Sequence, residues 1–392
     1  MNVAIFTDND FEKVNGVTTT LRAVLQHAPP GVRVRVYTAA RTPVDTPDYL
    51  AVGSVGAPLP FYGEMRVYAP PLRRFRQAVQ ADAIDVIHLT TPGPIGLAAM
   101  RVARQLGVPM VGSFHTDLAA YARILSGSAR LGAALGHFMR WPYGRCARVL
   151  APSEATRQLL MRTDRDADRI GIWRRGVDSA CFHPERRNEA LRRRWGVSDD
   201  RPALLYVGRL SREKGLDLLP RIERALHRLG LPHRFVIVGQ GPMREELETL
   251  MPDALFTGVL DRDGVAEACA SSDVFVFPSR TDTAGNVVLE AQASGLPVLV
   301  TNAGGPQENV IDGESGHVLR DMDATSWAAS LAPLLRRPAH RQRMSAAARS
   351  YAESRTWTNA LAPLFDAYRD VAIAARTAPA RESLVAGRAT LG

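Results

Sequence analysis

The sequence predicts an α/β protein made of two doubly wound, Rossmann-like domains that face each other across a cleft. Three observations carry that prediction. Short apolar runs of strand length alternate with stretches of helix length, the pattern of parallel sheets buried on both faces. The alternation comes as two consecutive series, which argues for two doubly wound units. The chain has 392 residues, and single cores stop growing at roughly 250–300.

The first series begins with "VAIFT" (3–7) and continues through "VRVYT" (34–38), "DVIHLT" (85–90), "PMVGSF" (109–114) and "RVLAPS" (148–153). Helical stretches fall between these runs at 17–27, 71–80, 95–106 and 154–162. The segment 176–196, "GVDSACFHPERRNEALRRRWG", is charged, rich in turn residues and poor in strand signals, so the domain boundary belongs there. The second series runs through "ALLYVG" (203–208), "RFVIVG" (234–239), "ALFTG" (254–258), "DVFVFP" (273–278) and "PVLVT" (297–301). Beyond 323 the pattern is helical only, and the last residues, "TAPARESLVAGRATLG", have the composition of a mobile tail.

Composition narrows the function classes. No apolar run approaches the roughly 18–20 residues that span a bilayer, and "MNVAIFTDND" enters a strand directly, with no signal-peptide pattern. Cys146, Cys181 and Cys269 are odd in number and far apart. That spacing suits neither a metal site nor a disulfide framework and points to a reducing cytosol. The net charge of +9 favours anionic partners such as nucleotides, nucleic acid or an acidic membrane surface. It equally fits an arginine-rich codon bias, because only Lys13 and Lys214 are lysines among 49 basic residues. No nucleic-acid-binding module or aromatic-rich basic stripe is present, so nucleic acid is not an expected partner.

Ligands of open α/β sheets bind at the carboxyl ends of strands, so the informative residues are those that follow strands. Gly16 precedes a helix and is either a close-approach point for a phosphate or acceptor, or a plain helix cap. His115 ends a strand and could hydrogen-bond a sugar hydroxyl or act as an acid–base group, or be structural. Arg209 and Lys214 share a strand-to-helix loop that could hold a diphosphate or be a solvated charged turn. The loop is not a phosphate-binding loop of the Gly-rich Lys-Ser/Thr type. Gly239 and Gly241 lack the third glycine of a dinucleotide fingerprint and fit close packing of a helix start. Aspartates one residue apart recur at Asp8/Asp10, Asp164/Asp166, Asp261/Asp263 and Asp321/Asp323. Such a pair can hold a divalent metal with substrate phosphates, but the repetition fits chance, and no metal is expected.

The densest cluster is "VFVFPSRTDTAGNVVLEAQASGLPVLVT" (274–301). The strand Val274–Phe277 leads through a polar loop into an apolar helix that Gly295 stops. The helix start near Asn286 presents free amides and a positive dipole end to a diphosphate, and Gly285 lets the phosphates come close. Glu290, placed in the first turn, suits a ribose diol because a carboxylate accepts two hydrogen bonds. Asp282 is left for hydroxyls of a hexose. A dipole-favoured acidic residue would explain Glu290 alone, but not Asp282 with Gly285 and Asn286.

This stretch resembles the acid–seven–Glu motif of family-4 retaining glycosyltransferases with the GT-B fold. "TDNDFEKVNGVTTT", "GSFHTD", "RRGVD…CFHP", "YVGRLSREKGLDLL", "VGQGP", "FTGVL" and "GGPQENVIDGESGHVL" follow in the family's order, to about residue 370. The resemblance implies an acceptor-binding domain over 1–175, a donor-binding domain over 176–356 and a final helix, 357–378, crossing back onto the first domain, before the tail 379–392. It implies that Glu290 binds the donor ribose and that Asp282 contacts the donor sugar with the backbone of Thr283, Ala284, Gly285 and Asn286. Gly285, Asn286 and Val287 would flank the diphosphate, Arg209 and Lys214 would neutralise it, and backbone near Val259 would meet the base. Gly239 would lie near the donor, Gly16 near the phosphates or acceptor, and His115 at the reacting carbon.

The implied partners are a nucleotide-sugar donor and a lipid-linked or glycan acceptor, with no cofactor and no metal. The sequence is similar to bacterial α-mannosyltransferases using GDP-mannose, and also to glucosyl or sulfoquinovosyl transferases using UDP-sugars. Ala284, where that subset usually carries an aromatic, opens space beside the sugar. A nucleotide-sugar epimerase of the same fold is a further alternative. The segment 130–150 mixes Arg130, Arg140, Arg145 and Arg148 with Leu135, Phe138, Met139 and Trp141. It is either a basic amphipathic surface for anionic lipid or a core helix with a solvated face. The expected location is the cytoplasm, with a peripheral position on the inner face of the cell membrane if the lipid reading holds.

Overall fold

The computed structural model describes residues 1–12, 15–59, 62–162 and 166–377; Lys13, Asp164 and the tail 379–392 lie outside them. Strands β1 (Asn2–Phe6), β2 (Arg33–Ala40), β3 (Val44–Asp45), β4 (Tyr49–Gly53), β7 (Val86–Leu89), β8 (Met110–Ser113), β9 (Arg148–Ala151) and β10 (Ile170–Ile172) form one sheet. Its order is β10-β9-β8-β7-β1-β2-β4-β3, and every pairing is parallel except β3 with β4. β5 (Gly56–Leu59) and β6 (Tyr62–Tyr68) make a separate antiparallel hairpin. The second sheet is wholly parallel: β11 (Ala203–Val207), β12 (Arg234–Val238), β13 (Leu255–Gly258), β14 (Val274–Phe277), β15 (Val298–Thr301) and β16 (Gly316–Leu319), in the order β13-β12-β11-β14-β15-β16. The reading of short apolar runs as parallel strands therefore matches the backbone. It did not include the hairpin, β3, β4, β10 or β16; β3, β10 and β16 are edge strands, whereas β4 is a buried apolar run (YLAVG) that the reading passed over.

Strand periodicity divides the first half into two cores. Val3 and Ile5 pack with Leu21 and Val24 of the helix Gly16–Gln26, whereas Ala4 and Phe6 pack on the other face with Phe75, Val79 and Val102. The final helix, Trp357–Thr377, closes the first of these faces with Leu361, Leu364, Phe365 and Tyr368. The second half has one large core around β11, β12, β14 and β15, capped by Trp327 and Leu331 of the helix Ala324–Arg336.

The chain passes between halves at two adjacent points. Val177 pairs in parallel with Thr356, and its amide donates to the Arg355 carbonyl at 2.8 Å. Gly176 permits this approach, because a Cβ there would lie 2.6 Å from the Trp357 nitrogen.

Candidate active site

The carboxyl ends of both sheets meet at the loop 278–285. Gly285 adopts φ +73°, and a Cβ there would come within 2.8 Å of the Pro306 Cα. Only glycine suits that position without strain. The helix Asn286–Ala293 starts directly after it, and no side chain caps this end. Its first amides have no partner within the helix, so the dipole end stays open to an anion.

A second loop supports the first from below. A Cβ on Gly304 or Gly305 would lie 2.2 Å from the carbonyl of Asp282 or Thr283. Asn309 Nδ2 donates to the Ala284 and Gly285 carbonyls at 2.7 and 3.3 Å, and Gln292 Nε2 holds the Asn309 carbonyl at 2.6 Å.

Charge in the loop is paired. Asp282 Oδ1 accepts from the Gly285 and Ala284 amides at 2.7 and 3.2 Å, and Oδ2 accepts from Lys214 Nζ at 2.8 Å. Burial disfavours the Asp282 charge, but Lys214 and these amides hold its pKa below the ordinary value. Burial likewise disfavours the Lys214 charge, and Asp282 more than compensates, so the ammonium is held well above its usual range. Arg209 donates to Ser211 Oγ at 3.1 Å and to the fully buried Glu213 carboxylate at 2.5 Å.

Glu290 contrasts with these groups. It is half-buried, and its carboxylate makes no hydrogen bond or ion pair among the described residues. Desolvation raises its pKa to about 7, against a small opposing effect of Arg262. It lies in the second turn of its helix, not the first, because the helix begins at Asn286.

His115 comes from the end of β8. Its carbonyl accepts from Thr283 Oγ1 at 2.7 Å, which ties the two halves together at the cleft. Arg175 Nη2 lies 3.3 Å from Nδ1, and Nε2 lies 2.7 Å from Ser113 Oγ. A guanidinium only donates, so Nδ1 is the acceptor and Nε2 carries the proton. Ser113 Oγ continues to His88 Nε2 at 2.7 Å, and His88 Nδ1 to Tyr368 Oη at 2.6 Å. Burial, then Arg175 and His88, push the His115 pKa well below its ordinary value, and burial with Arg175 lowers that of His88 to about 3. Both imidazoles are neutral at neutral pH.

The "Glycosyltransferase Family 4" model matches residues 14–180, and the "Glycosyl transferases group 1" model matches 187–351. A GDP-mannose-dependent alpha-mannosyltransferase of Corynebacterium glutamicum is 32% identical over 95% of this chain and 89% of its own. One of the same description from Mycolicibacterium smegmatis is 35% identical over 91% and 94%. The chain belongs to glycosyltransferase family 4. Among solved structures, sucrose-phosphate synthase from Thermosynechococcus elongatus superposes with a TM-score of 0.75 at 21% identity, covering 95% of this chain and 99% of that one. The fold is GT-B, and the chain is a hexosyltransferase-type enzyme.

The remaining expected residues of this glycosyltransferase divide into two groups. Asn286 reaches across the cleft, with Nδ2 at 3.4 Å from the Gly16 carbonyl and its Oδ1 buried without a partner. Thr283, Ala284, Gly285, Val287 and Val259 all follow strand ends on this face, and Val259 is 75% exposed. Gly16 is the first residue of a helix whose Val17 and Thr18 amides are already taken by the Asn15 side chain. Gly239 donates its amide to the Gly258 carbonyl at 2.8 Å, and a Cβ would sit 2.0 Å from the Gly208 carbonyl. Gly16 thus starts an already capped helix, and Gly239 serves close packing.

The aspartate pairs are largely occupied by local structure. Asp8 holds the Ile95 and Gly96 amides and Thr91, capping the helix Pro94–Leu106. Asp261 and Asp323 cap the helices Arg262–Ala270 and Ala324–Arg336.

Sequence reasoning missed Arg175, Glu213, Tyr121 and Glu308. Arg175 lies in "RRGVD" and is 3% exposed. It stacks 4.4 Å over Trp173, and burial lowers its pKa to about 9. Tyr121 of the helix Leu118–Ser126 is a near neighbour of the Lys214–Asp282 pair. Glu308, in "GGPQEN", accepts from the Glu154 and Ala155 amides at 2.9 Å and so caps a first-half helix from the second half. Among the described residues, no helix is long and apolar enough to cross a membrane.

Proposed function

We propose that the enzyme transfers mannose from GDP-mannose, with retention at the anomeric carbon, to a lipid-linked or glycan acceptor, without a metal ion in the reaction. One observation carries the donor reading: Glu290 is an unpartnered carboxylate on the same short helix whose uncapped start faces the loop. The two features suit a ribose and a diphosphate of one nucleotide sugar. The 32–35% identical relatives described as using GDP-mannose support the choice of donor.

The donor diphosphate would compete with Asp282 for Lys214 and with Glu213 for Arg209. As the sugar–phosphate bond breaks, charge grows on the leaving diphosphate. The two cations and the amides near Asn286 and Val287 stabilise it in place. The leaving phosphate oxygen then takes the acceptor proton on the same face of the sugar. His115 is neutral with both ring nitrogens engaged, so its part is to hold the sugar side of the cleft, through its ring edge and the Thr283 contact, and not to accept the proton.

Acceptor binding belongs to the first half. The helix Ala129–Tyr143 exposes Leu131, Phe138 and Trp141 at 41–51%, next to Arg130, Arg140 and Arg145. Such a face suits an anionic lipid surface and a peripheral position on the cytoplasmic leaflet. Flotation with anionic vesicles checks it: the wild type should float, and Trp141→Asp should not.

The test of the donor reading is a panel of GDP-mannose, UDP-glucose, UDP-galactose and UDP-N-acetylglucosamine in EDTA, read by thermal shift and donor hydrolysis. GDP-mannose alone should respond. A response to a UDP-sugar only would overturn the donor. A response to any donor that appears only after magnesium is added would overturn the metal-free mechanism.

A further inference from the structure

We propose that Glu223, His227 and His233 form a binding site for a divalent transition-metal ion of the zinc class, at the amino-terminal ends of the second sheet's strands, opposite the cleft. One carboxylate oxygen and one nitrogen from each imidazole all lie within 4.8 Å of one another. Glu223 and His227 are four residues apart on the helix Leu219–Arg228, so they share one face. A turn through Gly230, at φ +61°, returns the chain so that His233 arrives just ahead of β12. The catalytic loops follow the other ends of these strands.

The hydrogen bonding of His233 is the decisive feature. Its Nδ1 lies 2.7 Å from the Leu231 carbonyl, which can only accept, so Nδ1 carries the proton. Nε2 is then a bare lone pair, and it is buried with no partner. Metal-binding histidines are oriented in this manner, with the second nitrogen donating to a carbonyl. Glu223 is 5% exposed, and its carboxylate makes no hydrogen bond among the described residues. Two acceptors therefore lie within 4.8 Å of each other, and no hydrogen-bond donor among the described residues serves either. A cation resolves that conflict, because it accepts electron pairs from both. Two imidazoles and one carboxylate favour zinc or its neighbours over calcium or magnesium. His227 is exposed, which leaves a fourth position for water. The ion would pin the end of the helix Leu219–Arg228 to the start of β12, a structural part separate from transfer.

The test uses the full chain stripped by chelator and titrated with zinc chloride against a chromogenic competitor, with cobalt(II) as a spectroscopic probe. One equivalent should bind, the thermal midpoint should rise, and cobalt should give the visible bands of four-coordinate geometry. His227→Gln alters an exposed side chain, and Glu223→Gln keeps its shape. Each should weaken binding by more than the roughly 10–100-fold that loss of an outer-shell partner costs, with unchanged far-ultraviolet circular dichroism. Glycosyl transfer by His227→Gln should equal wild type, whatever the donor proves to be. Absence of zinc uptake overturns the proposal. So does uptake of equal affinity in both variants, which would mean an ion held elsewhere on the surface.

Discussion

Replacing Glu290 by glutamine should stabilise the donor-free enzyme while weakening its hold on the donor. Burial raises the carboxyl pKa from 4.5 to about 7. The folded state therefore keeps a proton that the unfolded chain releases above 4.5. The cost to stability is absent below pH 4.5, grows between 4.5 and 7, and is complete above 7. At about 1.36 kcal/mol per pH unit the full cost is about 3.4 kcal/mol. Glu290 is only half-buried, so solvent screening brings the expected figure to about 2 kcal/mol. Glu290→Gln removes the titration and should raise the chemical-denaturation stability by about that amount at pH 8, with little change at pH 4.5. With guanosine diphosphate added, that advantage should shrink to near zero or reverse, because an amide replaces a charged acceptor worth about 1.5–3 kcal/mol. Denaturation at both pH values, with and without the nucleotide, reads all four quantities. A Glu290→Gln variant that is less stable than wild type at pH 8, or whose effect is the same at both pH values, refutes the reasoning.

Three other outcomes follow from the same site. Gly285→Ala forces a side chain into φ +73° and against Pro306, which should cost about 2–4 kcal/mol in denaturant unfolding. Asp282→Asn leaves the Lys214 ammonium without its partner and should cost about 3 kcal/mol at pH 7, with Lys214→Met restoring part of it in the double variant. The Asp282 pKa is depressed, so its contribution is present above pH 3.8 and is lost as pH falls further; acid titration of Asp282→Asn should lack that limb. Tyr368→Phe removes the phenol from His88 Nδ1 and should cost about 1–3 kcal/mol. Imidazole nitrogen resonances should report a changed tautomer balance at His88, and if those resonances stay unchanged the directional chain to His115 is wrong.

The apolar runs made the parallel strands legible, because runs of four or five apolar residues bounded by turn signals suit strands buried on both faces. Strand ends then pointed to His115, Arg209 and Asp282 without further information. What local sequence could not show was how these groups are paired. Lys214 meets Asp282 across 68 residues, and Tyr368 meets His88 across 280. No local spacing encodes such contacts. The same limit hid Arg175, whose importance comes from the burial of its guanidinium against Trp173 and His115. Gly239 and Gly16 carried glycine's usual ambiguity between ligand approach and tight packing. In the structure the Gly239 amide donates to the Gly258 carbonyl, and the Val17 and Thr18 amides after Gly16 donate to the Asn15 side chain, so both glycines serve local packing.

The paired crossing at Val177 and Thr356 has a mechanical consequence. Two strands of chain pass side by side between the halves, so the halves can swing about that line without stretching either. The contacts from Thr283 to His115 and from Glu308 to the helix Glu154–Met161 then act as a latch. Breaking one crossing leaves the other as a strap, with the final helix still anchored on the first sheet by Phe365 and Tyr368. The molecule is thus a hinged clasp with two pins, in which opening is a rotation and separation requires two cuts.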